Sequence, residues 1–242
     1  MSLTSGRGPL GLDRAGRFST AVPDGIVYVE PHPRRIQARV GGRVVIDTEH
    51  ALPVHRAGRP LTYAFPAAAV GSLPHAAEPE ADGYVTVPWD AVDAWFEEGR
   101  ELVHHPPNPY HRVDYHPTQR RLRVVVEGTT LVDTTDTMIA FETSLAPKLY
   151  VHPSHVRTDL LRRTGSTSYC NYKGHCTYWA AVIGDTVVAD VAWSYEDPLP
   201  ESTPIAGWMS FDPTRAEVHA ELPSTAAATI ECTTEGTVPD RS

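Results

Sequence analysis

The sequence predicts a mainly β protein built from two related units of antiparallel hairpins, with one amphipathic helix and short helical turns. Three observations lead to this prediction. β-Branched and aromatic residues occur in short runs that alternate with polar residues, which is typical of half-buried strands. The 242 residues include 22 prolines, and proline disfavours long helices. A stretch near the N-terminus also recurs later in the chain.

The repeat divides the chain into units. Residues 34–48 align without gaps with residues 120–134. Each copy predicts a strand, a turn containing glycine, a second strand and an exit at an Asp-Thr pair, and Gly41-Gly42 favours a tight hairpin. We therefore predict five successive parts: a flexible N-terminus over 1–22, a first unit over 23–104, a connector over 105–116, a second unit over 117–222 and a disordered tail over 223–242.

The first unit is predicted to end in the main helix of the chain, over residues 88–103. Pro88 suits a helix start, and the apolar residues that follow it, from Trp89 to Val103, fall at helical spacing. Prolines then interrupt residues 105–109. Because a residue before proline is disfavoured in the helical region, this stretch predicts a rigid connector between the units.

The second unit keeps a segment, residues 169–179, that the first unit lacks. It leads into a hairpin whose predicted turn is Gly184-Asp185. Counting back from this turn places Cys176 opposite Trp193. The alternation of side chains along strands puts Cys176 and Trp193 on the same face as Tyr178 and Tyr195, and puts Trp179 on the other face.

Composition excludes several classes of function. The net charge of −9 disfavours a general nucleic-acid-binding protein, which needs a basic surface. No stretch reaches membrane-spanning length, and the N-terminus lacks the apolar core of a signal peptide. Three cysteines without secretory spacing predict reduced thiols in the cytoplasm. We expect a small-molecule ligand or substrate, no nucleic-acid or membrane partner and no cofactor; the oligomeric state is left open.

Several separated motifs occur in one order. A His-Pro-x-Asn-Pro-Tyr-His-Arg-Val-Asp connector occupies residues 105–114, and Asp-Thr and Phe-Glu-Thr follow at 133–134 and 141–143. Cys-x-Tyr-Lys-Gly at 170–174 and Ala-Trp-x-Tyr-x-x-Pro at 192–198 complete the set. The chain thereby resembles the tandem form of the bacterial domain-of-unknown-function family 427 over residues 26–222. The resemblance implies two tandem β-tent-like (Mss4-like) units, a group that includes zinc-bearing relatives and ligand-binding domains with aromatic cages.

The chain departs from the family pattern in the segment that the second unit keeps. Asn171 stands where proline is usual, which is expected to loosen the turn. His175 and Cys176 replace small residues and add a titratable ring and a thiol. These departures indicate that any site here differs chemically from that of the relatives.

Cys170 with Lys173 is the first candidate pair, because a nearby lysine favours the reactive thiolate. The structural alternative is a small buried cysteine beside a surface lysine. Cys176 is the other candidate nucleophile, but its neighbour His175 points to the opposite face of a regular strand. Besides Lys173, a histidine could pair with the Cys170 thiol, and the candidates are His175, His152 and His155.

Glu142 is the second candidate, because it follows an apolar stretch where a carboxylate is either paired or raised in pKa. Arg56 occupies the aligned position in the first unit, which favours a functional role for Glu142 in the second. The alternative is a structural salt bridge to Lys173 or Arg123.

Aromatic residues of the second unit suit a cage for a planar or cationic molecule. The alternative is a place in the core, which we favour for one of them, Trp179. The connector residues His105, His111 and Arg112 form the second wall of the pocket or, as the alternative, hold the two units together. The predicted ligand-binding side chains are Tyr172, Trp193, Tyr195, Trp179, His111 and Arg112.

We therefore predict an enzyme of unknown reaction with its pocket in the second unit. Cys170 or Cys176 is the nucleophile, with His175 beside them. Lys173 stabilises an anion or the thiolate, and Glu142 is a base or ligand anchor. The alternatives are a non-catalytic ligand- or peptide-binding module and a specialised biosynthetic enzyme. No metal is predicted, because paired Cys-x-x-Cys motifs are lacking. A nucleotidyltransferase is the less favoured alternative, because it would need a close pair of metal-binding carboxylates that the sequence lacks.

Overall fold

The computed structural model of the protein describes residues 3–4, 6–23 and 25–223. Every regular element in this part of the chain is a β-strand or a short 3-10 turn, which confirms a mainly β fold. None of its helical segments is long and apolar enough to cross a membrane. Nearly all of the predicted tail, with Cys232, lies outside the described residues.

The strands fall into two groups along the chain. Nine lie within residues 27–102, here called the N-terminal half: β1 Val27–Val29, β2 Ile36–Val40, β3 Arg43–Thr48, β4 Leu52–Arg56, β5 Thr62–Pro66, β6 Ala76–Ala77, β7 Tyr84–Thr86, β8 Ala94–Glu97 and β9 Arg100–Leu102. Ten lie within residues 113–220, the C-terminal half: β10 Val113–Thr118, β11 Leu122–Val126, β12 Thr129–Thr134, β13 Thr137–Glu142, β14 Lys148–Val151, β15 Leu161–Cys170, β16 Gly174–Ile183, β17 Thr186–Ser194, β18 Met209–Phe211 and β19 Glu217–Ala220. The 3-10 turns are Ala67–Ala69, Trp89–Ala91, Pro153–His155, Thr158–Leu160 and Pro200–Ile205.

Each half contains two sheets and its own buried clusters. The N-terminal half has a five-stranded sheet, β1-β4-β5-β7-β6, and a four-stranded sheet, β3-β2-β8-β9. The C-terminal half has a seven-stranded sheet, β10-β13-β14-β18-β17-β16-β15, and a three-stranded sheet, β12-β11-β19. In the N-terminal segment, Thr4 is buried and its carbonyl accepts a hydrogen bond from the Gly58 backbone, so this residue packs against the N-terminal half.

The sequence repeat has the same local structure in both halves. Arg35 donates two hydrogen bonds to Asp47, and Arg121 does the same to Asp133. The threonine after each aspartate accepts a hydrogen bond from the backbone N–H two residues on. The hairpins β2–β3 and β11–β12 also carry a bulge at the equivalent place. Each predicted Asp-Thr exit therefore combines an ion pair with a side-chain turn.

The helix predicted over residues 88–103 is wrong. Only Trp89–Ala91 turns, and β8 and β9 form an antiparallel hairpin from most of the rest. Glu98 and Gly99 form the turn with φ of 48° and 81°, as a tight hairpin requires. Trp95 and Leu102, which helical spacing would place on one helix face, lie opposite each other across the hairpin. The predicted connector is also too long, because β10 already begins at Val113.

The hairpin of β16 and β17 turns at Gly184 as predicted, but its register changes along its length. A bulge in the middle of the pair places Trp193 opposite Tyr178, so the predicted pairing of Trp193 with Cys176 is wrong. Asp190 lies in the bulge with φ of 53°, and its carboxylate accepts hydrogen bonds from two hydroxyl groups of β15. These hydrogen bonds offset the unfavourable backbone conformation.

The seven-stranded sheet is buried on both faces, as alternate residues of β13 show. Ile139 belongs to the large core shared with the three-stranded sheet. Met138 and Ala140 belong to a smaller cluster on the other face, together with Cys176. Because side chains alternate along a strand, Glu142 continues this second face at the end of β13. The candidate site lies there.

Candidate functional site

Glu142 is the centre of a buried charge cluster. Its Oε1 accepts a hydrogen bond from His111 Nε2 at 3.1 Å, and its Oε2 accepts one from Lys173 Nζ. The side chains of His111, Lys173 and Glu142 are 6%, 11% and 14% exposed. Burial alone would raise the pKa of Glu142, but the hydrogen bonds and charges of His111 and Lys173 lower it to about 2. Glu142 is therefore ionised at neutral pH, and of its two predicted partners Lys173 is the one it contacts.

His111 is held in one orientation. Because Glu142 is an ionised acceptor, Nε2 of the imidazole carries the proton. The ring stacks on Tyr172, with centroids 3.7 Å apart and planes 15° from parallel. Nδ1 of the same ring is buried and has no hydrogen-bond partner within the described part of the chain. In the neutral ring this nitrogen can accept a proton.

The turn between β15 and β16 is attached to the connector. The Tyr172 hydroxyl accepts a hydrogen bond from the Asn108 backbone N–H at 2.8 Å, and burial raises the pKa of Tyr172 to about 12. Asn171, which was expected to loosen the turn, donates from its side-chain amide to the His105 carbonyl at 2.9 Å and so fastens it. Gly174 closes the turn at φ 92°, a conformation that favours glycine.

Two clefts meet at the stacked rings of His111 and Tyr172. One has a volume of about 370 Å³ and is lined by these rings together with Glu142 and Cys170; we call it the thiol cleft. The other has a volume of about 360 Å³, and we call it the arginine cleft; besides the two rings, its lining includes Arg34, Arg100 and Arg112. His111 and Tyr172, together with Asn171, are thus the wall that the two clefts share.

The two cysteines of the C-terminal half have different surroundings. Cys170 is partly exposed and lines the thiol cleft. Cys176 is 2% exposed inside the smaller core cluster, where burial raises the pKa of its thiol. His175 is exposed and packs edge-on against Tyr169, 4.9 Å between ring centroids. Cys170 therefore lines the same cleft as Glu142, whereas Cys176 and His175 do not line it.

The remaining histidines considered as partners of Cys170 are engaged elsewhere. His152 hydrogen-bonds Ser154, and His155 pairs with Asp136 at 3.2 Å. Sequence reasoning placed His111 in the pocket wall but did not connect it with Cys170. Three histidines, His104, His105 and His111, line the same cleft as this thiol, and of these His111 is the one that hydrogen-bonds Glu142.

The four predicted cage aromatics do not form one group. Tyr195 is buried below Lys173, whose Nζ lies 5.9 Å from the centre of its ring. Trp193 packs at the edge of the same cluster, 5.3 Å from Lys148 Nζ. Trp179 lies on the other face of the sheet, against the large core. An aromatic cage made of all four residues is therefore excluded.

The equivalent position in the N-terminal half carries an ion pair of reversed polarity. Val27 faces Arg56 at the end of the β1–β4 pair, as Val113 faces Glu142 at the end of the β10–β13 pair. Arg56 Nη2 donates to both carboxylate oxygens of Glu78 at 2.6 Å. The change from glutamate to arginine is therefore matched by a change of partner, and by itself it does not favour a functional role for Glu142.

The arginine cleft draws on residues that sequence reasoning did not connect. Arg112 lines this cleft, where its side chain is 76% exposed. Its ion pair is with Asp114 at 2.8 Å and not with Glu142. Arg34 and Arg100 come from the N-terminal half, and no local pattern predicts that tertiary packing brings them here. Asn108, by contrast, lies inside the connector motif, and that motif was a signal for its role.

Comparison with protein families identifies a match for the C-terminal half. Residues 114–222 match the model of the family described as NTP_transf_9, Domain of unknown function (DUF427). No curated protein matches the chain. The matched region contains Glu142, Cys170 and Lys173 and begins just after His111. Within the described residues, no group of three or more His, Cys, Asp and Glu side chains is arranged to hold a metal ion.

Proposed function

Residues 114–222 of this chain belong to the domain-of-unknown-function family 427, and from the site we propose an enzyme that acts on a small molecule by nucleophilic catalysis. Cys170 is the nucleophile, His111 is its base, and Glu142 orients the base. One observation carries the proposal. His111 is held through Nε2, and its unpartnered Nδ1 belongs to a ring that lines the same cleft as the Cys170 thiol.

The position of His111 in the cleft matters more than its unpartnered nitrogen. His55 in the N-terminal half has the same bonding pattern, with Nε2 bound to Glu30 at 2.9 Å and Nδ1 buried without a partner among the described residues. His55 is fully buried and lines neither the thiol cleft nor the arginine cleft. A nucleophile, a base and an orienting group around one cleft is the arrangement that nucleophilic enzymes share.

The chemistry follows from the donor and acceptor roles. The buried Nδ1 of His111 does not hydrogen-bond Cys170 in this structure, so the scheme requires a side-chain movement that brings the two atoms within reach. Nδ1 then accepts the thiol proton while the sulfur lone pair of Cys170 bonds to the carbonyl carbon of an ester or amide, and the C=O π pair moves to oxygen. When that pair returns, the bond to the leaving group breaks, and the leaving group takes the proton from Nδ1. Water then attacks the thioester, with His111 accepting its proton and returning it to the departing thiolate.

Glu142 and Lys173 are positioning residues in this scheme. A carboxylate with a pKa of about 2 is too weak a base to remove a proton from substrate at neutral pH, so the base role passes to His111. The ionised Glu142 instead stabilises the imidazolium that forms when Nδ1 accepts a proton. Lys173 keeps that carboxylate ionised.

Alkylation by iodoacetamide tests the proposal on the full chain. Cleavage after Arg163, Lys173 and Arg215 puts the three cysteines on separate peptides, so mass spectrometry follows each thiol. We expect Cys170 to react at pH 7 at least tenfold faster than glutathione. The buried Cys176, whose pKa is raised, is expected to stay unlabelled in the native protein.

Two matched glutamine variants identify the base. His111→Gln keeps a donor for Glu142 but has no basic nitrogen, so the reaction of Cys170 is expected to slow to the glutathione rate. His55→Gln makes the same change at the histidine outside the cleft and is expected to leave the rate unchanged. A Cys170 that reacts no faster than glutathione, or that is indifferent to His111→Gln, contradicts the proposal.

A non-catalytic binding module is the second candidate. The reversed pair of Arg56 and Glu78 favours it, because a paired charge at this position also occurs in the half that has no thiol cleft. An inert Cys170 combined with quenching of tryptophan fluorescence by an added small molecule would support this second function.

A further inference from the structure

We infer that the arginine cleft binds an anionic group of the substrate, a carboxylate or a phosphate, beside the reacting centre. The inference rests on the proposed function, because it names the substrate class of the same site. It is carried by three guanidinium groups, Arg34, Arg100 and Arg112, that come from separate segments and line one cleft.

The concentration of positive charge runs against the composition of the chain. The protein has 21 lysines and arginines against 30 aspartates and glutamates. In the arginine cleft the proportion is reversed, since among the described residues Glu201 is the one acidic side chain of the lining beside the three arginines. Guanidinium groups recognise carboxylate and phosphate with paired N–H donors.

Most donors of these arginines remain available. Arg34 uses Nη1 to bind Glu97, and Arg112 uses Nη2 to bind Asp114. Arg100 has no side-chain hydrogen bond or ion pair to any residue that the structure describes. Because a guanidinium carries five N–H donors, the three side chains can still bind a ligand anion.

A small molecule fits this cleft better than a nucleic acid does. The volume of about 360 Å³ is within the range of small-molecule sites. Nucleic-acid binding needs an extended basic surface, which a chain with a net charge of −9 does not favour. Since His111 and Tyr172 line both clefts, an anion held by the arginines lies against the same two rings that line the thiol cleft.

Calorimetric titration of the full chain with citrate and with inorganic pyrophosphate, at low ionic strength, tests the inference. The two probes distinguish recognition of carboxylate from recognition of phosphate. Arg100→Gln is expected to weaken binding of the preferred probe at least tenfold. Arg43→Gln is the matched control. Arg100 lies on β9, at one edge of the four-stranded sheet, and Arg43 is an exposed arginine on β3, at the other edge of that sheet, outside the lining of the cleft.

The outcomes separate this inference from the proposed function. Binding of either probe that is lost in Arg100→Gln and kept in Arg43→Gln supports the anion site. Absence of binding to the natural sequence, or equal weakening by both variants, overturns it. Cys170→Ala is expected to bind the probe normally, so an unreactive Cys170 refutes the catalytic proposal without touching the anion site.

Discussion

The ion pair between Glu142 and Lys173 has a counterpart of reversed polarity, and this permits a matched experiment. We consider Glu142→Gln and Lys173→Met, alone and together. Glu78→Gln and Arg56→Met make the same changes at the equivalent position of the N-terminal half. Both pairs are buried, so both sets of variants are expected to destabilise the fold.

The magnitude follows from the pKa of Glu142. A carboxyl that titrates at about 2 in the folded protein and at 4.5 in the unfolded chain contributes about 3 kcal/mol at neutral pH. Removing one partner of a buried pair typically costs about 3–5 kcal/mol, because the other charge is left unpaired. We therefore expect each single variant to lose about 3 kcal/mol and the double variant to lose about 2 kcal/mol less than the sum.

The pH dependence has a definite sign. Between pH 2 and 4.5 the unfolded chain binds more protons at Glu142 than the folded protein does, so stability rises with pH across this range. The contribution is complete above the unfolded pKa and is lost as the pH falls to about 2. Urea unfolding monitored by tryptophan fluorescence measures it, and Glu142→Gln is expected to remove this part of the acid sensitivity.

Cys170 alkylation distinguishes the two pairs. Glu142→Gln is expected to slow the reaction at pH 7 because His111 loses its ionised partner, whereas Glu78→Gln and Arg56→Met leave the rate unchanged. Equal effects of both sets on the rate, or a loss of less than about 1 kcal/mol in Glu142→Gln, would refute the reasoning.

Three further predictions concern single side chains. Glu127 has φ 47° at the place where the first repeat has Gly41, so Glu127→Gly is expected to raise the free energy of unfolding by up to about 1 kcal/mol, and a lower urea midpoint contradicts this. Tyr172→Phe removes the acceptor of the Asn108 N–H and is expected to cost about 1–3 kcal/mol by thermal unfolding; an unchanged melting temperature would show that water replaces the hydroxyl. Burial opposes ionisation of Glu97, but hydrogen bonds from three side chains lower its pKa to about 2. The free energy of unfolding of Glu97→Gln is therefore expected to fall less between pH 4.5 and 2 than that of the natural sequence, and an equal fall would contradict this.

The repeat was the most informative feature of the sequence. Residues of one hairpin contact each other, so the pattern of the strands, the Gly-containing turn and the Asp-Thr exit was enough to predict both hairpins. The same local logic failed for residues 88–103. There, Trp95 and Leu102 satisfy helical spacing. The chain instead forms a hairpin, with a turn at Glu98 and Gly99 in which both residues have positive φ. The first strand of this hairpin, β8, also pairs with β2, which is distant in sequence.

The candidate site was predictable in part. Cys170 and Lys173 are close because Lys173 lies in the short turn that directly follows Cys170. The apolar stretch before Glu142 indicated a partly buried carboxylate. The register of Trp193 was missed because the bulge at Asp190 is stabilised by hydroxyl groups of another strand. Arg34 and Arg100 reach the site through packing of the two halves, which no pattern within one segment can show.

The reversed ion pair shows how the surroundings of Glu142 differ from those of its counterpart in the N-terminal half. Glu78 gives both carboxylate oxygens to one nitrogen of Arg56 and also accepts the Glu80 backbone N–H, so within the described part of the chain Arg56 is the one side chain that it holds. Glu142 gives one oxygen to Lys173, which comes from the turn that the N-terminal half lacks, and the other to His111. The lysine keeps the carboxylate ionised, and the ionised carboxylate fixes the histidine with its proton on Nε2. The extra segment of the second half thus adds a thiol to the thiol cleft and, through Lys173, leaves Glu142 an oxygen that holds His111, the base of the proposed mechanism.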